Sequence, residues 1–360
     1  MRQRLRGACP FRLKSGPLGR NSAALHPKAR RPALPSPGVS PHALPVSPAP
    51  SDRLTPEALA RIGSLELRAR LIVEGFITGM HRSPYHGFSV EFAQHRPYNR
   101  GDELRHVDWK VWARKDRWMV KQYEEETNLR HAVVLDTSPS MRYAGASGVS
   151  KLAYGATLGA ALHTLMVRQR DATGLAAFDS TLHTLVPPRA TRAHLRALLA
   201  TLDRLESAPA TPPAPEAGTG ASGVARALDE VAERLPKRSL VTIISDLFET
   251  MDGAAEIAKA LRHLRHRGHE VLVFHVLDAK TERDFAFDDL PVRMRDMETG
   301  ETLTLQPAQL REHYREASGA FFNDFKRRCR EIEADYVLLD TAQPYDHALS
   351  AYLQKRKRLF

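Results

Sequence analysis

Apolar runs alternate with amphipathic stretches from about residue 131 to the end of the chain. Segments such as LVTIIS and VLVFHVL are apolar almost throughout, as strands covered on both faces of a sheet require. We predict strands at 131–136, 173–178, 181–186, 239–246, 270–277 and 335–340, and helices over about 150–168, 191–206, 223–235, 252–267, 307–331 and 346–355. This alternation favours an α/β fold of Rossmann-like type with a doubly wound, mostly parallel sheet.

The chain before residue 131 has a different pattern. From Thr55, the stretch TPEALARIGSLELRARLIVEGF has a Thr-Pro-Glu start and apolar residues at helical spacing, which predicts one helix to about Gly75. Alternation in FSVEF and WMVKQY predicts strands, with NRGDE as a turn. The sheet is therefore preceded by a helix and a small β-rich extension. Trp109, Trp112 and Trp118 in this extension are predicted to be core residues rather than a base-stacking platform.

These patterns divide the chain into four segments. Residues 1–52 hold ten of the 24 prolines and show no periodicity, so we predict a disordered Pro- and Arg-rich tail. Residues 53–130 contain the helix and the β-rich extension, and residues 131–345 form the α/β domain. Residues 346–360 form a C-terminal helix with a basic end.

The net charge of +11 changes this picture little. Nine Lys and Arg and no acidic residue lie in residues 1–50, which leaves 11 − 9 = +2 for the remainder. Polyanion binding through the basic tail is therefore an alternative function, and no specific nucleic-acid recognition is expected. Two cysteines cannot form a disulfide framework, and neither a signal peptide nor a transmembrane segment is recognisable. We expect a cytoplasmic protein.

Candidate chemistry lies where two predicted strands end. In VVLDTSPSM, Asp136 ends a strand, and Ser138 and Ser140 follow at alternate positions; Asp246 ends the strand of IISD. Ligands of doubly wound sheets bind at the carboxyl ends of the strands. Carboxylate and hydroxyl oxygens suit Mg²⁺, with Mn²⁺ or Ca²⁺ as alternatives. An Asx turn or a helix cap is the simpler interpretation of the same residues.

The stretch D-T-S-P-S-M resembles the metal-ion-dependent adhesion site of von Willebrand factor A domains. In that family a threonine from a later loop and an aspartate after a central strand complete the site. The resemblance assigns the aspartate to Asp246. It places Ser222 at the threonine position, six residues before Leu228 of an Ala-Leu pair, with Thr219 as the rival.

The upstream stretch RPYNRGDELRHVDWKVWARK resembles the signature of the bacterial family called domain of unknown function 58, in which it precedes an A-like domain. The matching positions are Arg96, Tyr98, Gly101, Asp102, Arg105, Asp108, Trp109, Ala113 and Arg114. We interpret Gly101-Asp102 as a hairpin turn. Arg105, Asp108 and Arg114 are interpreted as a buried ion-pair network or, alternatively, a partner-docking surface.

The resemblance implies a metal-dependent protein-binding module rather than an enzyme. In A-like domains one coordination position of the metal stays open for an Asp or Glu of the partner. Relatives are commonly encoded beside MoxR-type AAA+ ATPases, which implies a role in the assembly or maturation of other proteins. A Mg²⁺-dependent phosphate-ester hydrolase is the alternative from the residues themselves, although neither a nucleophile elbow nor a general base can be assigned.

Overall fold

A six-stranded sheet forms the centre of the fold. The computed structural model describes residues 55–82, 95–98, 109–121, 129–209, 223–247, 251–297 and 300–359, and the predicted tail 1–52 lies outside them. The strands of the sheet are β3 (Arg130–Asp136), β4 (Ala172–Phe178), β5 (Leu182–Arg189), β6 (Ser239–Ser245), β7 (Glu270–Leu277) and β10 (Asp335–Asp340). All six predicted strands are confirmed, most within one or two residues.

The strand order is β10-β7-β6-β3-β4-β5, and every neighbouring pair is parallel except the β4–β5 hairpin. From β3 the chain proceeds through β4 and β5 to one edge, then returns to β6 and continues through β7 to β10 at the other edge. The order thus reverses between β3 and β6, which we call the switch point. Ligands of open α/β sheets bind there, outside the carboxyl ends of the strands.

Helices cover both faces of the sheet. One hydrophobic core lies under α2 (Leu65–Arg82), α4 (Lys151–Arg168), α5 (Arg192–Ser207) and α9 (Asp346–Leu359). The second lies under α6 (Gly223–Arg234), α7 (Met251–His266) and α8 (Pro307–Glu331). Successive residues of β3 enter different cores, with Val133 in the first and Val134 in the second, because side chains alternate across a strand. This double burial explains the continuous apolar runs.

The N-terminal part differs from its prediction in two places. The expected single helix from Thr55 is two helices, α1 (Pro56–Ala60) and α2, which begins after Gly63-Ser64. Trp109–Lys115 forms a helix, α3, that the pattern did not predict. A two-stranded antiparallel sheet of β1 (His95–Pro97) and β2 (Met119–Lys121) confirms a strand in WMVKQY. The predicted strand FSVEF and turn NRGDE lie outside the described residues.

A second small hairpin, β8 (Val292–Arg295) with β9 (Thr302–Leu305), was not predicted either. Its strands carry charged and hydroxyl side chains on the exposed face, and only Met294 is fully buried. The hairpin has its own small core with Phe285, next to α8. None of the described helices combines the length and the apolar character that a membrane span needs.

Two glycines should respond oppositely to the same substitution. A Cβ at Gly174 in β4 would lie 2.5 Å from the carbonyl oxygen of Val186, which is backbone and cannot move aside cheaply. A Cβ at Gly159 in α4 would meet only side chains at 3.4 Å or more. We expect Gly174→Ala to destabilise the fold by about 1–3 kcal/mol, and Gly159→Ala to stabilise it by about 0.5–1 kcal/mol through helix propensity. Urea unfolding of both variants tests the pair. A stable Gly174→Ala would mean that the β4–β5 hairpin is looser than described.

Candidate functional site

The site at the switch point starts with Asp136, the last residue of β3. Its side chain is completely buried. Oδ1 accepts the backbone N–H of Ser138 at 2.9 Å, and Oδ2 accepts the hydroxyl of Ser245, the last residue of β6, at 2.5 Å. The first bond is an Asx turn, so the simpler interpretation of the motif describes part of the geometry. Both bonds fix the orientation of the carboxylate.

Ser138 and Ser140 lie next to this carboxylate. The turn after β3 leads into a short 3₁₀ helix, Pro139–Arg142, whose first turn contains Ser140. The two hydroxyl oxygens are 3.0 Å apart and both residues are buried. The alternate spacing in the sequence therefore brings both hydroxyls to one point, as predicted.

Asp246 follows β6 on the other side of the switch point and is also completely buried. Burial, and next to it the negative charge of Asp246, raises the pKa of Asp136 to about 7, although hydrogen bonds from Ser245 and Ser138 act in the opposite direction. Two carboxylates thus influence each other in a region removed from water. The structure brings together four of the five predicted metal ligands: Asp136, Ser138, Ser140 and Asp246.

The fifth predicted ligand cannot be placed. Ser222 and its rival Thr219 both lie outside the described residues. Helix α6 begins directly after, at Gly223, and a Cβ at Gly223 would lie 2.9 Å from the Cα of Ser180 in the β4–β5 turn. The start of α6 is therefore packed closely against the turn that follows β4.

Sequence reasoning missed a buried cation, Lys151. Its ammonium donates to Asp246 Oδ2 at 2.8 Å and to Glu282 Oε1 at 2.5 Å, and only 1% of the side chain is exposed. Glu282 Oε2 in turn accepts the backbone N–H of Asp278 at 2.8 Å. The available signal was the position of Lys151 in the first turn of α4, directly after the N-cap Ser150. A cation is unfavourable at a helix N-terminus unless other groups compensate its charge.

The charges in this cluster alter one another. Burial lowers the pKa of Lys151, but the charges and hydrogen bonds of Asp246 and Glu282 outweigh burial, so the pKa is raised. Burial raises the pKa of Glu282, against the effect of Lys151. The ammonium also lies 5.7 Å from the ring centre of Tyr143.

The loop between β3 and α4 is held against the end of β7. Asp278 accepts the backbone N–H of Ala146 at 2.8 Å, and the Tyr143 hydroxyl donates to Thr281 at 2.8 Å. A Cβ at Gly145 would lie 2.1 Å from Asp278 Oδ2, so no larger residue fits there without moving the carboxylate. Glu282 and Thr281 belong to one turn of π-helix, Ala279–Arg283. This loop and the π-helix together position Lys151 and Glu282.

The donor set fits Mg²⁺ in part. Carboxylate and hydroxyl oxygens are the ligands that Mg²⁺ prefers, and two repelling carboxylates lie at one point. One oxygen of Asp246, however, already accepts from Lys151. Within the part of the chain that the structure describes, no group of three or more His, Cys, Asp or Glu side chains is arranged to hold a metal ion. Any metal would therefore depend on the serine hydroxyls.

Comparison with known proteins gives the family. Residues 94–320, more than half of the chain, match the family described as "Protein of unknown function DUF58". The chain belongs to this family. An uncharacterized protein of Mycobacterium bovis and one of Mycobacterium tuberculosis are each 28% identical to it over 307 residues, which are 84% of this chain and 91% of the relative.

Solved structures show weaker likeness. The conserved hypothetical protein BatB of Bacteroides thetaiotaomicron is 14% identical with a TM-score of 0.38, and covers 64% of this chain and 98% of its own. The PilB minor pilin of Streptococcus sanguinis is 8% identical with a TM-score of 0.39, and covers 67% of this chain and 64% of its own. TM-scores below 0.5 do not establish a shared fold, so the fold class rests on the strand order alone.

The DUF58 signature residues precede β3 in the chain. The structure describes only some of them. Gly101, Asp102, Arg105 and Asp108 lie outside the described residues, and only the backbone of Arg96 is described, in β1. The predicted hairpin turn at Gly101-Asp102 therefore stays a prediction. Arg114 is exposed, which contradicts a buried ion-pair network at this position. The alternative, a partner-docking surface, stays a prediction.

The prediction that the tryptophans are core residues is also wrong. The exposed fractions are 52% for Trp109, 38% for Trp112 and 44% for Trp118. Their rings contact each other, with centroids 5.8–6.1 Å apart, and Tyr98 packs on Trp118. The three rings share a small cluster of their own instead of entering either core of the sheet, and each ring stays partly exposed.

Proposed function

We propose that this DUF58 protein is a metal-dependent protein-binding module with a von Willebrand factor A-like domain. The observation that carries the proposal is the convergence of two serine hydroxyls, 3.0 Å apart, beside two buried carboxylates at the switch point of the sheet. A helix cap alone would not require a second buried carboxylate after β6. A hydroxyl pair with two carboxylates is a donor set for a hard divalent cation.

In this proposal Asp136, Ser138, Ser140 and Asp246 would hold Mg²⁺, with Mn²⁺ or Ca²⁺ as alternatives, and Ser222 or Thr219 would complete the set. The cation would supply a positive charge that binds a carboxylate oxygen of the partner. The chain's own groups orient the donors: the N–H of Ser138 and the hydroxyl of Ser245 fix Asp136. The partner therefore presents an Asp or Glu, and binding requires the metal.

A MoxR-type AAA+ ATPase is the proposed working partner, in the cytoplasm, in the assembly or maturation of other proteins. This part of the proposal follows from the resemblance to the family. A pull-down with the full-length chain as bait, with Mg²⁺ and with EDTA, tests it. Capture of the ATPase in Mg²⁺ but not in EDTA supports the proposal. Equal capture in both contradicts metal dependence. In a separate assay with Mg²⁺, turnover of a phosphate ester would favour the hydrolase alternative.

The identity of the fifth ligand can be decided by two single substitutions. We expect Ser222→Ala to weaken Mg²⁺ binding by roughly 10-fold or more and Thr219→Ala to leave it nearly unchanged, because Ser222 directly precedes α6. Titration calorimetry of both variants measures the difference. A larger loss for Thr219→Ala would assign the ligand to Thr219, and no loss for either would remove this loop from the site.

A further inference from the structure

Lys151 is the cation that the structure itself places in the site. Its ammonium contacts Asp246 Oδ2 at 2.8 Å and Glu282 Oε1 at 2.5 Å. One of these carboxylates belongs to the proposed metal ligands, and the other belongs to the π-helix behind them. Lys151 thus shares a carboxylate with the proposed metal.

Placing an ammonium here is unfavourable for two reasons. Removing a charged amine from water costs several kcal/mol unless partners replace the lost hydration. The first turn of α4 carries the positive end of the helix dipole, which repels a cation. Asp246 and Glu282 compensate for both effects. The Lys151 ammonium is therefore stabilised at this position by its two carboxylate partners.

The charge of the cluster follows from a count. With all groups ionised, Asp136, Asp246 and Glu282 carry −3 and Lys151 carries +1, so the sum is −3 + 1 = −2. We propose that Lys151 is the internal counter-ion of the site: it neutralises one carboxylate charge and sets the remaining charge to that of one divalent cation. This inference rests on the metal-dependent function proposed above.

Lys151 therefore limits both the affinity and the charge preference of the site. A positive charge in contact with a ligand carboxylate repels an incoming cation and occupies one oxygen of Asp246. Without the ammonium the remaining charge is −3, which favours a trivalent ion. We expect Lys151→Met to bind Mg²⁺ roughly 10-fold more tightly or better, and to gain still more affinity for Tb³⁺.

A matched control lies at the opposite end of the strands. Lys355 is also buried and also bridges two carboxylates, Glu270 at 2.7 Å and Asp335 at 3.1 Å. Glu270 begins β7 and Asp335 begins β10, so this lysine lies at the amino ends of the strands. Lys355→Met should lower the melting temperature in EDTA less than Lys151→Met does, because Arg265 also pairs with Glu270 and Arg358 with Asp335, and it should leave cation affinity unchanged.

The experiment is calorimetric titration of wild type, Lys151→Met and Lys355→Met with Mg²⁺ and with Tb³⁺, together with melting temperatures in EDTA. Tighter binding by Lys151→Met alone, with its melting temperature recovered by cation, supports the inference. Unchanged or weaker binding by Lys151→Met, while wild type binds Mg²⁺, overturns the inference and leaves the proposed function intact. If wild type does not bind Mg²⁺, the proposed function fails, and the inference fails with it whether or not Lys151→Met binds.

A second pair of variants tests the charge count should Lys151→Met not fold. Glu282→Gln leaves a charge of −1 and should weaken Mg²⁺ binding roughly 10-fold. The double variant Lys151→Met/Glu282→Gln returns the charge to −2 and should restore wild-type affinity. A double variant that binds Mg²⁺ as weakly as Glu282→Gln would overturn the inference.

Discussion

Lowering the pH from 7.5 to 5 is expected to remove about 2 kcal/mol of unfolding free energy through the buried His131, and the buried His163 acts in the same direction. His131 and His163 are fully buried near the amino ends of β3 and β4. Both contact the hydroxyl of Thr173, at 3.2 Å and 2.7 Å. The other ring nitrogen of His131 contacts the Thr242 hydroxyl at 3.0 Å. Burial lowers the pKa of His131 to about 3, and burial lowers that of His163 strongly as well.

The direction of the effect follows from proton binding. Unfolded histidine has its ordinary pKa of 6.5 and takes up a proton between pH 7.5 and 5, whereas folded His131 stays neutral until about pH 3. The unfolded state binds more protons in this range, so stability falls as the pH falls. Asp136 acts in the opposite direction, because its raised pKa makes the folded state take up a proton below about pH 7. The net loss in wild type is therefore smaller than the sum for the histidines.

A substitution separates the histidine effect from the carboxylate effect. His131→Gln keeps a hydrogen-bonding side chain but cannot take up a proton, and His347→Gln changes an exposed histidine. Urea unfolding at pH 7.5 and pH 5 should show a pH-dependent loss about 2 kcal/mol smaller in His131→Gln than in wild type. His347→Gln should behave as wild type. The same loss in all three proteins would mean that His131 is protonated in the folded state.

Strand positions were predictable because burial on both faces leaves few polar residues inside a strand. β7 and β10 match their predicted limits, and the same logic placed Asp136 and Asp246 at the carboxyl ends of adjacent strands. The hairpin of β8 and β9 was missed because its strands are largely exposed and carry no apolar run. Burial on both faces made β3, β6 and β7 visible in the sequence, whereas β5, which has no fully buried residue, was recognised without it.

Contacts between distant residues were not predictable from local pattern. Lys151 and Glu282 are 131 residues apart, and a lysine ahead of an apolar helix reads as a solvent-exposed start. The tryptophans show the converse error: their size suggested burial, yet they pack on one another at the surface. Pattern predicts which residues end a strand, and only the folded chain shows which charges neutralise them.

Asp136→Ala is expected to abolish metal-dependent partner binding while the fold survives. Loss of an outer-shell contact alone lowers metal affinity roughly 10–100-fold, so loss of the ligand on β3 should lower Mg²⁺ affinity by more than about 100-fold. The partner's carboxylate would then have no cation to bind. Titration calorimetry and the pull-down in Mg²⁺ measure the two losses.

Stability should not follow the loss of binding. At pH 8 the ionised Asp136 carboxylate costs about 4 kcal/mol, since its pKa is about 7 in place of 3.8. Removing it leaves Ser138 N–H and the Ser245 hydroxyl without their acceptor, at a cost of about 1–3 kcal/mol for each. The gain and the losses are of similar size, so the melting temperature in EDTA should stay close to that of wild type.

Asp136→Asn is the matched control, because its amide oxygen can still accept from Ser138 while the charge is gone. It should lose metal and partner binding as the alanine variant does, and should be at least as stable. Binding is expected to need the charge of Asp136, whereas folding is expected to need only a hydrogen-bond acceptor. Measuring binding and melting temperature for both variants separates these two roles. If Asp136→Ala binds the partner equally well in EDTA and in Mg²⁺, the adhesion-type mechanism is wrong for this protein, and Asp136 and its serines serve only to cap the end of β3.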